Sequence, residues 1–235
     1  MPEKPITLIA GGPGARRSRG PDPLIQRVLQ DLGVENPRVA YVGAASGDNA
    51  AFLLLISRIL KRAGAGPVAL APLCGRRGSL ERALPVMEEA DVVFVSGGDV
   101  EAGMQVLQQK RVLPHLSRLF ESGKPFFGVS AGSIMLARQW VRWRDPDDDS
   151  TAEVFPCLGF APVLCDTHGE EDGWAELKAL LALCPAGTTG YGIVSGSAIT
   201  VKGRTVKGRT VKALGGEVHV FRKGRGGVTQ AESLS

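Results

Sequence analysis

Ser130 stands in the run Gly128-Val129-Ser130-Ala131-Gly132-Ser133, directly after the apolar pair Phe126-Phe127. This is the G-x-S-x-G form of a nucleophile elbow. A serine at a tight strand-to-helix turn is held in a strained backbone conformation. Glycines two residues either side let the two arms pass without Cβ clashes. The hydroxyl then projects from the sheet edge, and the N–H of Ala131 faces the place where charge develops on an attacked carbonyl. The chemistry would be acyl transfer. A serine capping a glycine-rich turn has the same pentapeptide, so other residues must decide between the two.

A serine hydroxyl is a weak nucleophile until a base takes its proton. Of the three histidines, His115 lies in a Leu-rich helical stretch and His219 alternates within a terminal strand, Val218-His219-Val220. His168 is placed differently. It follows an apolar run in Asp166-Thr167-His168-Gly169, where a strand gives way to a helix, and is the expected general base. A third group usually orients such a histidine. Asp145, the acidic run after it, Asp166, Glu170 and Glu171 are all candidates, and spacing does not choose among them. A second segment, Phe94-Val95-Ser96-Gly97-Gly98-Asp99, ends a strand in two glycines. Gly98 is the expected second oxyanion donor beside Ala131, and Asp99 is suited to cap the helix that follows. Gly11-Gly12-Pro13-Gly14 has neither G-x-G-x-x-G nor a G-K-[ST] ending, so it reads as a rim loop and not a phosphate loop.

These residues need a scaffold that brings strand ends together. Apolar runs at residues 6–10, 38–42, 67–71, 91–96 and 126–129 read as strands. Residues 22–32, 49–63, 79–89, 100–109 and 112–122 read as helices. Strands buried on both faces and alternating with helices predict an α/β fold: a doubly wound, mostly parallel sheet with helices on both faces. Ligands bind such sheets beyond the carboxyl ends of the strands, where the loops after Ala10, Val42, Ser96 and Val129 fall. Further on, residues 144–150 form an acidic exposed loop, 158–165 read as a strand, and 170–183 as a helix. From Thr189 the chain reads as a small β-meander, with strands at 193–201 and 217–222. Within it Thr200-Val201-Lys202-Gly203-Arg204 is repeated by Thr205-Val206-Lys207-Gly208-Arg209, and Thr210-Val211-Lys212 begins a third copy. Too short and too few for a solenoid, the repeat is expected to lengthen a hairpin loop or create a bulge.

A chain of 235 residues suits one α/β domain with a sizeable core, spanning 1–235, with the hairpin region near 189–222 packed on it. Net charge is only +4 and aromatics make up 6%, which argues against nucleic-acid binding, where basic residues interleave with stacking rings. No stretch approaches a membrane span, and the N-terminal apolar run is too short for a signal peptide. Cys74, Cys157, Cys165 and Cys184 lack C-x-x-C spacing and a histidine pattern, so no metal site and a reducing, cytoplasmic setting are expected.

In order along the chain, Val95-Ser96-Gly97-Gly98-Asp99, Gly128-Val129-Ser130-Ala131-Gly132-Ser133 and the strand leading to His168 resemble the serine peptidases of family S51, of the dipeptidase E and cyanophycinase type. The resemblance runs from about Ile6 to Arg222. It implies a class I glutamine amidotransferase-like fold, a Ser130 nucleophile, a His168 base, and an oxyanion hole from Gly98 and Ala131. It also implies a small peptide or isopeptide substrate, no cofactor, and a monomer or homodimer. Asp145 falls at the spacing after the serine where the dipeptidase has a functionally important aspartate. The family tends to carry an acid in the segment matching Gly192-Ile193-Val194-Ser195-Gly196-Ser197, where this chain has Ser195. Arginines common after the histidine are replaced by Glu170-Glu171-Asp172-Gly173-Trp174. An acidic rim of Asp99, Glu170 and Glu171 suits a basic or amine-bearing ligand better than an aspartyl one. The alternative expectation is a binding or regulatory protein that kept the fold without a complete triad. An α/β-hydrolase esterase shares the elbow, but the chain lacks an HGGG-like loop.

Overall fold

The computed structural model describes residues 5–12 and 20–235. Part of the glycine-rich loop after Gly12 and the basic run at residues 16–19 lie outside the described residues.

Five strands form the parallel body of a seven-stranded sheet: β1 (Ile6–Ile9), β2 (Val39–Val42), β3 (Val68–Leu70), β4 (Val92–Val95) and β5 (Phe126–Val129). The order is β1-β5-β4-β2-β3, extended beyond β1 by antiparallel β10 (Ala198–Lys202) and β11 (Thr210–Leu214). Alternation along each strand sends side chains to two separate cores. Leu8, Ala40, Val42, Val93, Val95 and Phe126 point one way, where α3 (Leu80–Glu89), α4 (Val100–Gln109), α5 (Leu113–Glu121) and α6 (Ala131–Leu136) bury Met87, Leu107, Leu116 and Met135 on them. Ile9, Tyr41, Phe94 and Phe127 point the other way, covered by Leu24, Ile25 and Leu29 of α1 (Pro23–Asp31) and Leu60 of α2 (Ala50–Arg62). Period-two strands apolar on both faces can be satisfied only by helices on both faces, and the doubly wound arrangement follows.

Three readings of the sequence need correction. The strand expected over 158–165 is shorter and later, β8 (Leu164–Thr167). The residues before it pack back on α6 instead, with Leu158 N–H donating to Met135 and Ala161 N–H to Leu136. The helix expected from 170 starts at α7 (Ala175–Ala182), because Gly173 and Trp174 both take left-handed φ near +66° and a right-handed helix cannot pass through them. The strand expected over 193–201 breaks at residues 194–197 into β9 (Thr189–Ile193) and β10, with Gly196 at φ +80° in the turn. The two halves then join different sheets. β9 lies between β8, to which it is parallel, and β12 (Val218–Gly224), followed by β13 (Gly227–Leu234), while β10 extends the main sheet. The C-terminal strands are therefore shared between two sheets and do not form one meander. A further ribbon, β6 (Gln139–Trp143) with β7 (Ala152–Pro156), flanks the acidic loop.

The pentapeptide repeat closes the β10–β11 hairpin. Its first and third copies pair, Thr200 with Lys212 and Lys202 with Thr210, and the middle copy lies in the connecting loop. No described helix is long and apolar enough to cross a membrane.

Candidate active site

Ser130 is the first residue after β5 and has φ +55° and ψ −126°, a conformation that costs a non-glycine residue about 1–3 kcal/mol. The surroundings hold it there. Ser130 N–H donates to Ile9 at the end of β1 (2.9 Å), and Ser133 Oγ–H donates to the same carbonyl (2.9 Å). A Cβ on Gly132 would run into the Val95 carbonyl of neighbouring β4, so α6 packs this tightly on the sheet only with glycine at that position. The elbow is thus tied to both flanking strands.

His168 follows β8, also with positive φ (+47°), and its N–H donates to Ile193 of β9 (3.0 Å). The two turns bring Ser130 Oγ to 2.7 Å from His168 Nε2. At that distance the hydroxyl can donate to a neutral imidazole and hand over its proton as it attacks. Among the described residues no side-chain carboxylate bonds His168 Nδ1.

Beyond β4, Gly98 sits at φ +143°, and a Cβ there would overlap the Ala45 carbonyl, which accepts Asp99 N–H at 2.8 Å. Gly98, Ala131, Ser130 and His168 line one cavity of about 280 Å³. The N–H groups of Gly98 and Ala131 have no backbone acceptor among the described residues. That size is at or just below the usual range for ligand pockets, about 300–1,000 Å³, and suits a small ligand rather than a folded chain.

The other expected residues are distributed unevenly. Asp99 lines the cavity but also caps α4, its Oδ1 accepting Ala102 N–H at 2.7 Å. Glu170 is exposed, and its Oε1 accepts Ser195 N–H at 2.5 Å, so it bridges to the turn between β9 and β10. Glu171 is exposed and does not line the cavity. Asp145 lies in the acidic loop at the outer end of the β6–β7 ribbon, where its Oδ1 accepts Asp147 N–H (3.1 Å), and it does not line the cavity either. The ribbon itself is fastened to α4 through Arg142, which bonds Glu101 (2.7 Å) and Glu153 (2.6 Å).

Sequence reasoning missed several of the residues that line the cavity. Trp140 of β6 and Glu176 of α7 line it together with Asp166, Thr167 and Asp172. Trp140 Nε1–H donates to Glu176 at 2.7 Å. Asp166 is 6% exposed, and its carboxyl is pushed up to about 7, first by burial and then by the Glu176 and Asp172 charges. Nothing local in the sequence marks Trp140 or Glu176, because a chain crossing brings them to the site. Asp166, on β8 two residues before His168, is the one of these residues that the sequence does offer.

Known proteins place this architecture. Peptidase E of Pasteurella multocida (strain Pm70) is 24% identical over 132 residues, 53% of this chain and 56% of that protein. Pyridoxal 5'-phosphate synthase subunit PdxT of Geobacillus sp. (strain WCH70) is 27% identical over 73 residues, 31% of this chain and 38% of that protein. The chain thus spans about half or less of the length of these curated relatives. The crystal structure of a peptidase from an acI-B1 Actinobacterium superposes with a TM-score of 0.69 at 15% identity, covering 99% of this chain and 97% of that one. A putative Peptidase E protein from Listeria monocytogenes EGD-e superposes at 0.59 with 16% identity, covering 90% and 98%. Residues 7–208 match the pattern of Peptidase family S51, and with most of the chain inside that match the protein belongs to this peptidase family.

Proposed function

We propose that the protein is a serine-type peptidase that cleaves a small peptide or isopeptide through an acyl-enzyme. Ser130 is the nucleophile and His168 the general base and acid. The observation that carries this reading is the 2.7 Å contact between Ser130 Oγ and His168 Nε2 on an elbow of positive φ. In the first half-reaction Ser130 Oγ bonds to the scissile carbonyl carbon while its proton passes to Nε2. The oxyanion takes hydrogen bonds from the N–H groups of Gly98 and Ala131. The imidazolium then protonates the departing amine and the C–N bond breaks. In the second half-reaction a water takes the place of the amine, its oxygen bonds to the acyl carbon as its proton passes to Nε2, and the imidazolium returns that proton to Ser130 Oγ as the acyl C–Oγ bond breaks and the acid leaves.

A second reading has one observation in its favour. Ser195 stands where the related family tends to have an acid, and among the described residues His168 Nδ1 has no carboxylate partner. A protein with this dyad alone could bind a ligand at Ser130 without turning it over at a useful rate. One experiment separates the readings: incubation with a panel of dipeptides and isoaspartyl dipeptides, with products read by mass spectrometry. The proposal expects hydrolysis by the wild type and none above background by Ser130→Ala. Hydrolysis that survives in Ser130→Ala would overturn Ser130 as the nucleophile, and no hydrolysis over the whole panel would favour the second reading.

A further inference from the structure

The cavity that holds the elbow is lined by carboxylates. Asp99, Asp166, Asp172 and Glu176 line the same cavity as Ser130 and His168, and no lysine or arginine among the described residues lines it. Three of these carboxylates have local duties that leave their charge uncancelled. Asp99 and Asp172 cap helices or turns through backbone N–H groups, and Glu176 accepts the indole N–H of Trp140. None forms an ion pair among the described residues. Asp166 is the exceptional one. It is only 6% exposed, accepts Thr167 N–H at 2.7 Å, and faces Glu176 and Asp172 without a cation. A buried carboxylate among like charges is costly unless something positive compensates it. Thr167, 3% exposed, lines the cavity as well, and its Oγ1 has no hydrogen-bond partner among the described residues. A buried hydroxyl without a partner, beside carboxylates that no cation offsets and in a residue that lines the cavity of the Ser–His pair, is a place for a donor.

We propose that Asp166, Asp172 and Glu176, with the Thr167 hydroxyl, form a subsite for a cationic nitrogen of the substrate. The peptide this protein takes would then carry positive charge next to the scissile bond. The inference rests on the reading of Ser130 as the reacting group only for the word substrate. The cation subsite itself is a statement about binding. Asp166 is buried, Glu176 half-buried and Asp172 exposed, the last two raise the Asp166 carboxyl through their charges, and His168 and Asp99 are the remaining titratable groups on the cavity. The ligand's nitrogen must therefore pair mainly with the first three. Two sources share this chemistry: a free α-amine, or a lysine- or arginine-type side chain.

Binding to Ser130→Ala protein tests this without turnover. The probes are argininamide, citrullinamide (the α-amine with a neutral isosteric side chain) and N-acetylargininamide (the guanidinium without the α-amine), read by calorimetry at pH 8 and low salt. The proposal expects argininamide to bind at least tenfold more tightly than an analogue lacking both cations, N-acetylcitrullinamide. Whichever single-cation analogue keeps that advantage identifies the source. In Asp166→Asn/Glu176→Gln protein, where the amides can keep the bonds to Thr167 and Trp140, the advantage should fall below threefold. Equal binding of charged and neutral analogues to the parent protein overturns the proposal, and that comparison needs no further variant to fold. Failure of the acyl-enzyme reading shows separately, as unreactive Ser130 in protein that still prefers the cation.

Discussion

Replacing Asp166 by asparagine should make this protein more stable, and only at neutral and alkaline pH. The carboxyl goes from an ordinary value of 3.8 to about 7 on folding, raised first by desolvation and then by Glu176 and Asp172. Between those values the folded state holds a proton that the unfolded chain has released, so stability falls as pH rises through this window and is lowest above 7. A displacement of that size corresponds to about 4 kcal/mol at pH 8, and to about 1 kcal/mol at pH 4.5, where the unfolded chain has only begun to gain from ionisation. Relaxation around the charge lowers the yield, so a gain of roughly 2–4 kcal/mol at pH 8 is expected. For a chain this long that raises the melting temperature by roughly 5–10 °C. The substituted amide keeps an acceptor for Thr167 N–H, which limits other effects. Urea denaturation of wild type and Asp166→Asn from pH 4.5 to 8.5 reads the difference directly. The gain should shrink to about a quarter at the acid end. A difference that is flat with pH, or a variant less stable than wild type at pH 8, would refute the reasoning about this carboxylate.

His168→Ala should leave the fold intact, since the side chain is exposed, and lower kcat on any cleaved dipeptide by about 10²–10⁴-fold, the usual worth of a general base. Circular dichroism and steady-state kinetics on the same sample check it. Glu170→Ala removes the acceptor of Ser195 N–H and should cost about 1 kcal/mol, seen as a small drop in melting temperature. Deleting residues 205–209 removes the middle pentapeptide copy and joins Arg204 to Thr210, which leaves Lys202 and Thr210 flanking a two-residue Gly203-Arg204 loop. Glycine first in such a loop suits a type II′ hairpin, and the shorter closure favours folding by about 1 kcal/mol. Thermal denaturation should show a protein at least as stable, with turnover unchanged.

Much of this architecture is legible in the sequence because its signals are local. The parallel strands are short β-branched and aromatic runs, and Gly128-Val129-Ser130-Ala131-Gly132 carries its own turn. His168 is recoverable because a strand end followed by a polar residue points to the rim. The errors have physical causes too. Left-handed Gly173 and Trp174 delay α7, and a turn at Gly196 sends β9 and β10 to different sheets, while apolar periodicity runs through both places. The acidic lining of the cavity is the least legible part. Trp140 reaches Glu176 from 36 residues away, across a ribbon whose pairing no single segment announces. Asp145, singled out by its distance from the serine along the chain, lies instead in the loop beyond that ribbon.

The central claim is that Ser130 is an activated nucleophile. Treating the protein with a fluorophosphonate and measuring intact mass, followed by peptide mapping, tests it most directly. The account predicts a single adduct on the peptide that carries Ser130, no adduct in Ser130→Ala, and much slower labelling in His168→Ala. No adduct on the wild type, or one that persists in Ser130→Ala, would contradict it.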